Sequence, residues 1–136
     1  MTEFTDHGPN PYIVDIEDAT EENDKFRTTL WTGEKLQLTL MSIPVGGDIG
    51  LEVHSDTDQF IRLEEGRGRV QMGPTKDNLT FDKEVSDDWV VLVPLGWWHN
   101  ITNIGDEPMK VYSIYAPPHH AHGTVHNTQA DQEEDH

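Results

Sequence analysis

An all-β fold, an antiparallel barrel or sandwich, is what the sequence predicts, and three observations carry the prediction. Extended segments show period-two apolar patterning, turn formers separate them at short intervals, and no long helical pattern intervenes. Closing the sheet into a jelly-roll-like barrel removes vulnerable edges, which favours the barrel over an open sandwich. A chain of 136 residues suits one domain and by size scaling buries roughly two thirds of its unfolded surface.

Residues 1–25 form an amino-terminal arm. It is irregular across Gly8-Pro9-Asn10-Pro11 and then fits a short helix within Asp15 to Glu22, with Asp18 as cap and Glu21 as its reciprocal partner. The barrel is assigned to residues 26–116. It opens with FRTTLWT, turns at Gly33-Glu34, and continues as KLQLTLMSIPV, in which Leu36, Leu38 and Leu40 share one face and Gln37, Thr39 and Met41 the other. Beyond the turn at Gly46-Gly47-Asp48, IGLEVH resumes an extended course. The further strands are QFIRLEEG, GRVQMG, NLTF, WVVLVP, HNITNI and PMKVYSIYAP. Gly66, Gly73-Pro74, Ser86-Asp87-Asp88, Pro94-Leu95-Gly96 and Gly105-Asp106-Glu107-Pro108 separate them. Trp89 and the run Val90 to Val93 read as a central strand. Residues 117–136 are rich in Pro, His and acid and poor in large apolar side chains. They read as a tail docked near its start and frayed towards its end.

Composition narrows the function classes. Lys and Arg total 9 against 26 Asp and Glu, a formal net charge of −17, and such a surface repels phosphate backbones and anionic lipid. Nucleic acid and membrane surfaces are therefore not expected partners. Cysteine is absent, which removes disulfides, thiolate metal sites and cysteine nucleophiles. No stretch reaches 18 uninterrupted apolar residues, and MTEFTDHGPNPY has neither the basic nor the apolar region of a secretory signal, so a cytoplasmic location is expected.

The chemistry concentrates in Gly50 to Phe60. With residues 50–54 extended, Glu52 and His54 point to one side and Leu51 and Val53 to the other. The short connection from Ser55 to Asp58 then returns Gln59 on a neighbouring strand. His99, after the turn at Pro94-Leu95-Gly96, is the best offer for a fourth donor. Carboxylate, two imidazoles and an amide oxygen suit one divalent transition metal ion, Mn, Fe, Ni, Co or Zn, with room for water or substrate. A histidine on a strand is more often surface-exposed or hydrogen-bonded within the fold, and that reading stays open on spacing alone. His54-x-Asp56 is a competing register. Trp97 and Trp98 are positioned to wall a substrate pocket and exclude water, and Arg62 is the basic residue expected to anchor substrate there if a local strand twist turns it inward. His119, His120, His122 and His126 suggest a second metal site, but an acidic, flexible tail accounts for them.

Two segments resemble the conserved motifs of cupins. In the first, Gly50 opens the motif, Glu52-Val53-His54 stands where cupins commonly show His-x-His, Gln59 stands where they show Glu, and Gly66-Arg67-Gly68 closes the hairpin. In the second, Pro94-x-Gly96-x-x-His99-x-x-x-Asn103 keeps the spacing, with Asp88 in place of the usual leading glycine. The resemblance implies a double-stranded β-helix with a metal ion in its mouth, often as a homodimer. Exchanging His for Glu52 and Glu for Gln59 keeps one carboxylate and moves it.

The resulting expectation is a metal-dependent enzyme acting on a small oxygenated substrate, with Glu52 as proton acceptor when it is displaced from the metal. A noncatalytic small-ligand-binding cupin, a metal-dependent dioxygenase, and a sugar isomerase or epimerase are the alternatives, because the fold hosts all of them.

Overall fold

The computed structural model describes residues 4–133. A single short helix, α1 (Ile16–Glu22), precedes eight strands: β1 (Arg27–Thr32), β2 (Gln37–Ile43), β3 (Asp58–Glu65), β4 (Arg67–Gly73), β5 (Phe81–Ser86), β6 (Val90–Val93), β7 (Trp98–Asn103) and β8 (Met109–Ala116). A two-residue strand β9 (Val125–His126) and helix α2 (Gln129–Glu133) follow. Antiparallel pairing builds one sheet in the order β6-β3-β8-β2-β1-β9 and a second in the order β5-β4-β7. Residues 48–52 run along the free edge of β7 through the bridges Asp48↔Thr102 and Glu52↔His99. The protein is an all-β jelly roll, as its patterning predicts.

Three differences from the sequence reading have local causes. Asp15, with extended dihedrals (φ −76°, ψ 102°), caps α1 by accepting from Asp18 N, so Asp18 stands three residues inside the helix instead of at its cap. The run Val90–Val93 is an edge strand, not a central one, and Val90 and Leu92 stay exposed. A four-residue strand pairing on one side only leaves alternate side chains in solvent. The IGLEVH segment forms bridges instead of a regular strand.

Strand alternation gives each face of the large sheet a different task. Leu30 and Leu40 point outward and bury against Ala19 of α1, with Tyr12, Val14 and Ile16 of the arm packed around them. The arm thus covers apolar sheet surface. The inward face changes character along its length. At one end Ile43 pairs with Met109 and Met41 with Val111, all within the main core. Towards the other end the same alternation places Thr39 opposite Ser113 and Gln37 opposite Tyr115, while on β3 Leu63 and Ile61 give way to Gln59, also opposite Tyr115. These polar residues are as buried as the hydrocarbon ones. Buried polar groups need partners, and this end of the barrel holds the candidate site.

Residues 117–133 close that end. Gln37 Oε1 accepts from the backbone N–H groups of His119 (3.1 Å) and His120 (2.9 Å), and its Nε2 donates to His120 O (2.8 Å). Asp6 accepts from Gly8 N, Thr32 N, Thr32 Oγ1 and Gly123 N at 2.6–3.0 Å, which ties the arm, β1 and the carboxy-terminal segment together. β9 then pairs with β1 through Arg27↔His126 and Thr28↔Val125. Among the described residues the segment is held as far as Gln132, whose Nε2 donates to Ile49 O, further along than the docked start that its composition suggests; the expected frayed end falls partly on residues 134–136, outside the described residues. The signal was hard to read because its anchors are main-chain groups. No helix among the described residues is long and apolar enough to cross a membrane.

Candidate metal centre

Three donors from distant parts of the chain meet inside the barrel mouth. Glu52 and His99 face each other across a β-bridge, with Glu52 N donating to His99 O (3.1 Å) and His99 N donating to Glu52 O (2.9 Å). Gly50, at φ +90°, starts this segment in a conformation that glycine adopts without steric cost. His54 is fixed by its carbonyl, which accepts from Gly96 N at 2.7 Å. Gly96 itself, at φ +80°, makes the turn before β7, and Asp58 Oδ1 accepts from Leu95 N in the same turn. Asn103 closes the far end of β7, donating to Ile43 O and Glu107 O.

One donor atom from each of Glu52, His54 and His99 lies within 4.8 Å of the others. Glu52 Oε1 stands 3.4 Å from His54 Nε2 and 3.6 Å from His99 Nε2, long contacts that leave both ring nitrogens without a well-formed hydrogen bond. Four donors held tetrahedrally at about 2.1 Å from an ion are about 3.4 Å apart. The spacing therefore suits ligation. His99 Nδ1 lies 3.1 Å from Trp97 O, a contact that places the proton on Nδ1 and turns the Nε2 lone pair into the site. Burial pushes the Glu52 carboxyl up, but His54, His99 and the positive charge of Arg27 outweigh it and hold the group well below the usual carboxylate range. The result is a buried Glu/His/His cluster able to chelate a metal ion.

Gln59 is buried on β3, its Nε2 3.4 Å from Ser113 Oγ and its Oε1 without a partner. Asp56 is exposed and lies outside the cluster, so the register through His54 and Glu52 is the one that converges.

Beside the cluster lies a cavity of about 330 Å³ that shares Glu52 and is otherwise lined by His119, His120, Ala121, Thr124, His126 and Gln132. The His119 ring centroid is 4.0 Å from that of His54, and Tyr115 meets His54 edge-on at 5.7 Å. The cover thus supplies much of the cavity wall.

Sequence comparison agrees with this architecture: residues 39–115, more than half the chain, match the cupin domain. The chain belongs to the cupin family. The uncharacterized protein YrkC of Bacillus subtilis is 56% identical to this cupin over 126 residues, 93% of this chain and 68% of that protein. The crystal structure of BH2720 from Bacillus halodurans has 61% sequence identity and a TM-score of 0.94, covering 96% of this chain and 98% of that one. A Klebsiella pneumoniae protein with a double-stranded β-helix domain shares the fold at 14% identity, with a TM-score of 0.66 over 93% of this chain and 100% of its own.

The cupin's other expected pocket residues are placed differently. Trp97 packs against the main hydrophobic core. Trp98 lies on the face of β7 opposite to His99, as strand alternation requires, and neither indole lines the cavity. Arg62 points away from the barrel interior, with Nε 2.8 Å from Glu64 Oε1 and Nη2 3.1 Å from Asp88 Oδ1. The alternation that buries Gln59, Ile61 and Leu63 turns Arg62 out, and no local twist reverses it. The sequence reading passed over Arg27, the basic residue that is inside. Its signal was an arginine set among Phe26, Thr28, Thr29 and Leu30 at the head of a strand.

Proposed function

We propose that this cupin is a metal-dependent enzyme acting on a small oxygenated organic molecule, with one divalent transition ion held by Glu52, His54, His99 and the amide oxygen of Gln59. The observation that carries the reading is the set of buried, unpartnered donors facing one ionised carboxylate beside a cavity. When bound, such an ion supplies Lewis acidity towards a substrate oxygen.

The chain's own residues set what happens around it. The carbonyl of Trp97 fixes the tautomer and orientation of His99. Both imidazole contacts of Glu52 fall on Oε1, so Oε2 is the proposed proton acceptor. Burial, followed by repulsion from His54, lowers the His119 pKa, and this supports a neutral imidazole at the cavity wall, able to receive or relay a proton. The segment carrying His119 and His120 walls the cavity beside the cluster.

Untagged protein, stripped with chelator and reconstituted, should hold one transition ion per chain by elemental analysis. His54→Ala and His99→Ala should abolish the stoichiometric ion with the circular dichroism spectrum unchanged. Absence of a stoichiometric ion in wild-type protein would overturn the reading. Oxygen uptake, set beside proton exchange on α-hydroxycarbonyl compounds, separates oxygenation from isomerisation, and saturable ligand binding without turnover would assign a noncatalytic binding role.

A further inference from the structure

Arg27 is 1% exposed, and no carboxylate lies within ion-pair distance of it among the described residues. Its Nη1 reaches His126 Nδ1 (3.2 Å) and Gln132 Oε1, and its Nη2 approaches Met41 Sδ at 3.7 Å. Its Nε–H has no partner. A buried guanidinium left without a counter-ion is costly, and native proteins pair such charges.

Three more buried polar groups near it are also unpartnered: the Tyr115 hydroxyl, Thr39 Oγ1 and His120 Nε2. Arg27 and Thr39 both stand beside the Tyr115 hydroxyl, a phenol whose O–H can turn to donate to an anion. His120 packs edge-on against Tyr115 at 5.2 Å between centroids and lines the cavity. Burial first, and Arg27 second, push its imidazole down to about 2, so it adds no positive charge. Several orphaned groups gathered around one guanidinium describe a missing anion.

We propose that Arg27, Tyr115, Thr39 and His120 form a carboxylate-binding subsite, and that the substrate is a small oxygenated carboxylate spanning from this subsite to the Glu52, His54 and His99 cluster. The substrate's second contact rests on the metal reading above, whereas the carboxylate contact does not. A single guanidinium with one phenol and one hydroxyl fits the planar, monovalent carboxylate better than a phosphate dianion.

The test is calorimetric titration of metal-free and zinc-loaded protein with sodium acetate, glycolate, ethylene glycol and inorganic phosphate, with sodium chloride holding ionic strength constant. Metal-free protein should bind acetate saturably and ethylene glycol not at all, and zinc should tighten glycolate more than acetate. Tyr115→Phe, which preserves the ring, should weaken acetate binding about tenfold, and Arg27→Gln should abolish it. If Arg27→Gln fails to fold, the Tyr115→Phe comparison decides alone. Absence of saturable acetate binding to metal-free wild-type protein, phosphate binding more tightly than acetate, or unchanged acetate affinity in Tyr115→Phe would each overturn the subsite. Acetate binding in a protein that takes up no zinc or other transition ion on reconstitution would sink the metal reading and leave the subsite standing.

Discussion

Glu52 and His99 exchange both of their backbone hydrogen bonds with each other, at 3.1 and 2.9 Å, and present their side chains to the same ion-sized space. The relative position of two proposed ligands is therefore set by a β-bridge, whose geometry varies little. His54 joins them through the carbonyl that holds Gly96. Ligand spacing is thus a property of the main chain, and single side-chain changes in the cluster should leave the barrel folded.

The role of Gln59 follows from its free carbonyl. Gln59→Leu keeps the volume and removes Oε1, so metal affinity should fall at least about tenfold. The melting temperature of the metal-free protein should change little, because the amide's hydrogen bond to Ser113 Oγ is long, at 3.4 Å. Competition titration with a chromogenic chelator measures the first effect and calorimetry the second. Unaltered metal affinity would remove Gln59 from the ligand set.

Gln37 holds the cover by its backbone, so Gln37→Leu should strand the polar groups of His119 and His120 and cost about 1–3 kcal/mol. Urea unfolding reads the loss, and hydrogen exchange should rise across residues 119–126 before it rises in β2 or β8.

Asp6 predicts an acid limb to stability. Burial raises its pKa, but bonds from Thr32, Gly123 and Gly8, with the charge of His122, outweigh that and lower it below the ordinary 3.8. A carboxyl depressed in the folded state contributes stability above its unfolded pKa and loses it as pH falls from there through the folded value. Asp6→Asn should therefore be less stable than wild type at pH 7, with the gap narrowing below about pH 4. Denaturant midpoints across that range test it, and a gap that stays constant would refute the assignment.

Leu40 is fully buried between the large sheet and α1. Leu40→Ala should cost about 2–5 kcal/mol, read by chemical unfolding, with metal binding retained because the cavity it creates lies on the far face of the sheet.

Much of this was legible in the letters, and the exceptions share a cause. Period-two patterning in Leu36 to Leu40 and in β8 locates strands because one-face burial leaves a mark in sequence, and the spacing from Pro94 to His99 marks a turn feeding a strand. Alternation put Glu52 and His54 on one side, and the turn before His99 together with the resemblance to the second cupin motif brought that residue to them. Alternation does not say which sheet face is the interior, however. Leu38 and Leu40 face the arm while Gln37 and Thr39 enter the barrel, the reverse of what hydrophobicity alone suggests. The inward-facing arginine was missed for that reason, and Arg62 was considered in its place. Docking was expected only near the start of residues 117–136. Its extent through Gly123 and Gln132 left no mark in the letters, because Gln37 and Asp6 bind main-chain atoms, which every sequence possesses.

Because that closing segment is gripped by its peptide groups at 119, 120 and 123, the barrel is largely indifferent to which side chains it carries at those positions. Related proteins can exchange the imidazoles facing the cavity for other groups and keep the same roof. The lining of the cavity can then diverge while the Glu/His/His cluster beneath stays constant.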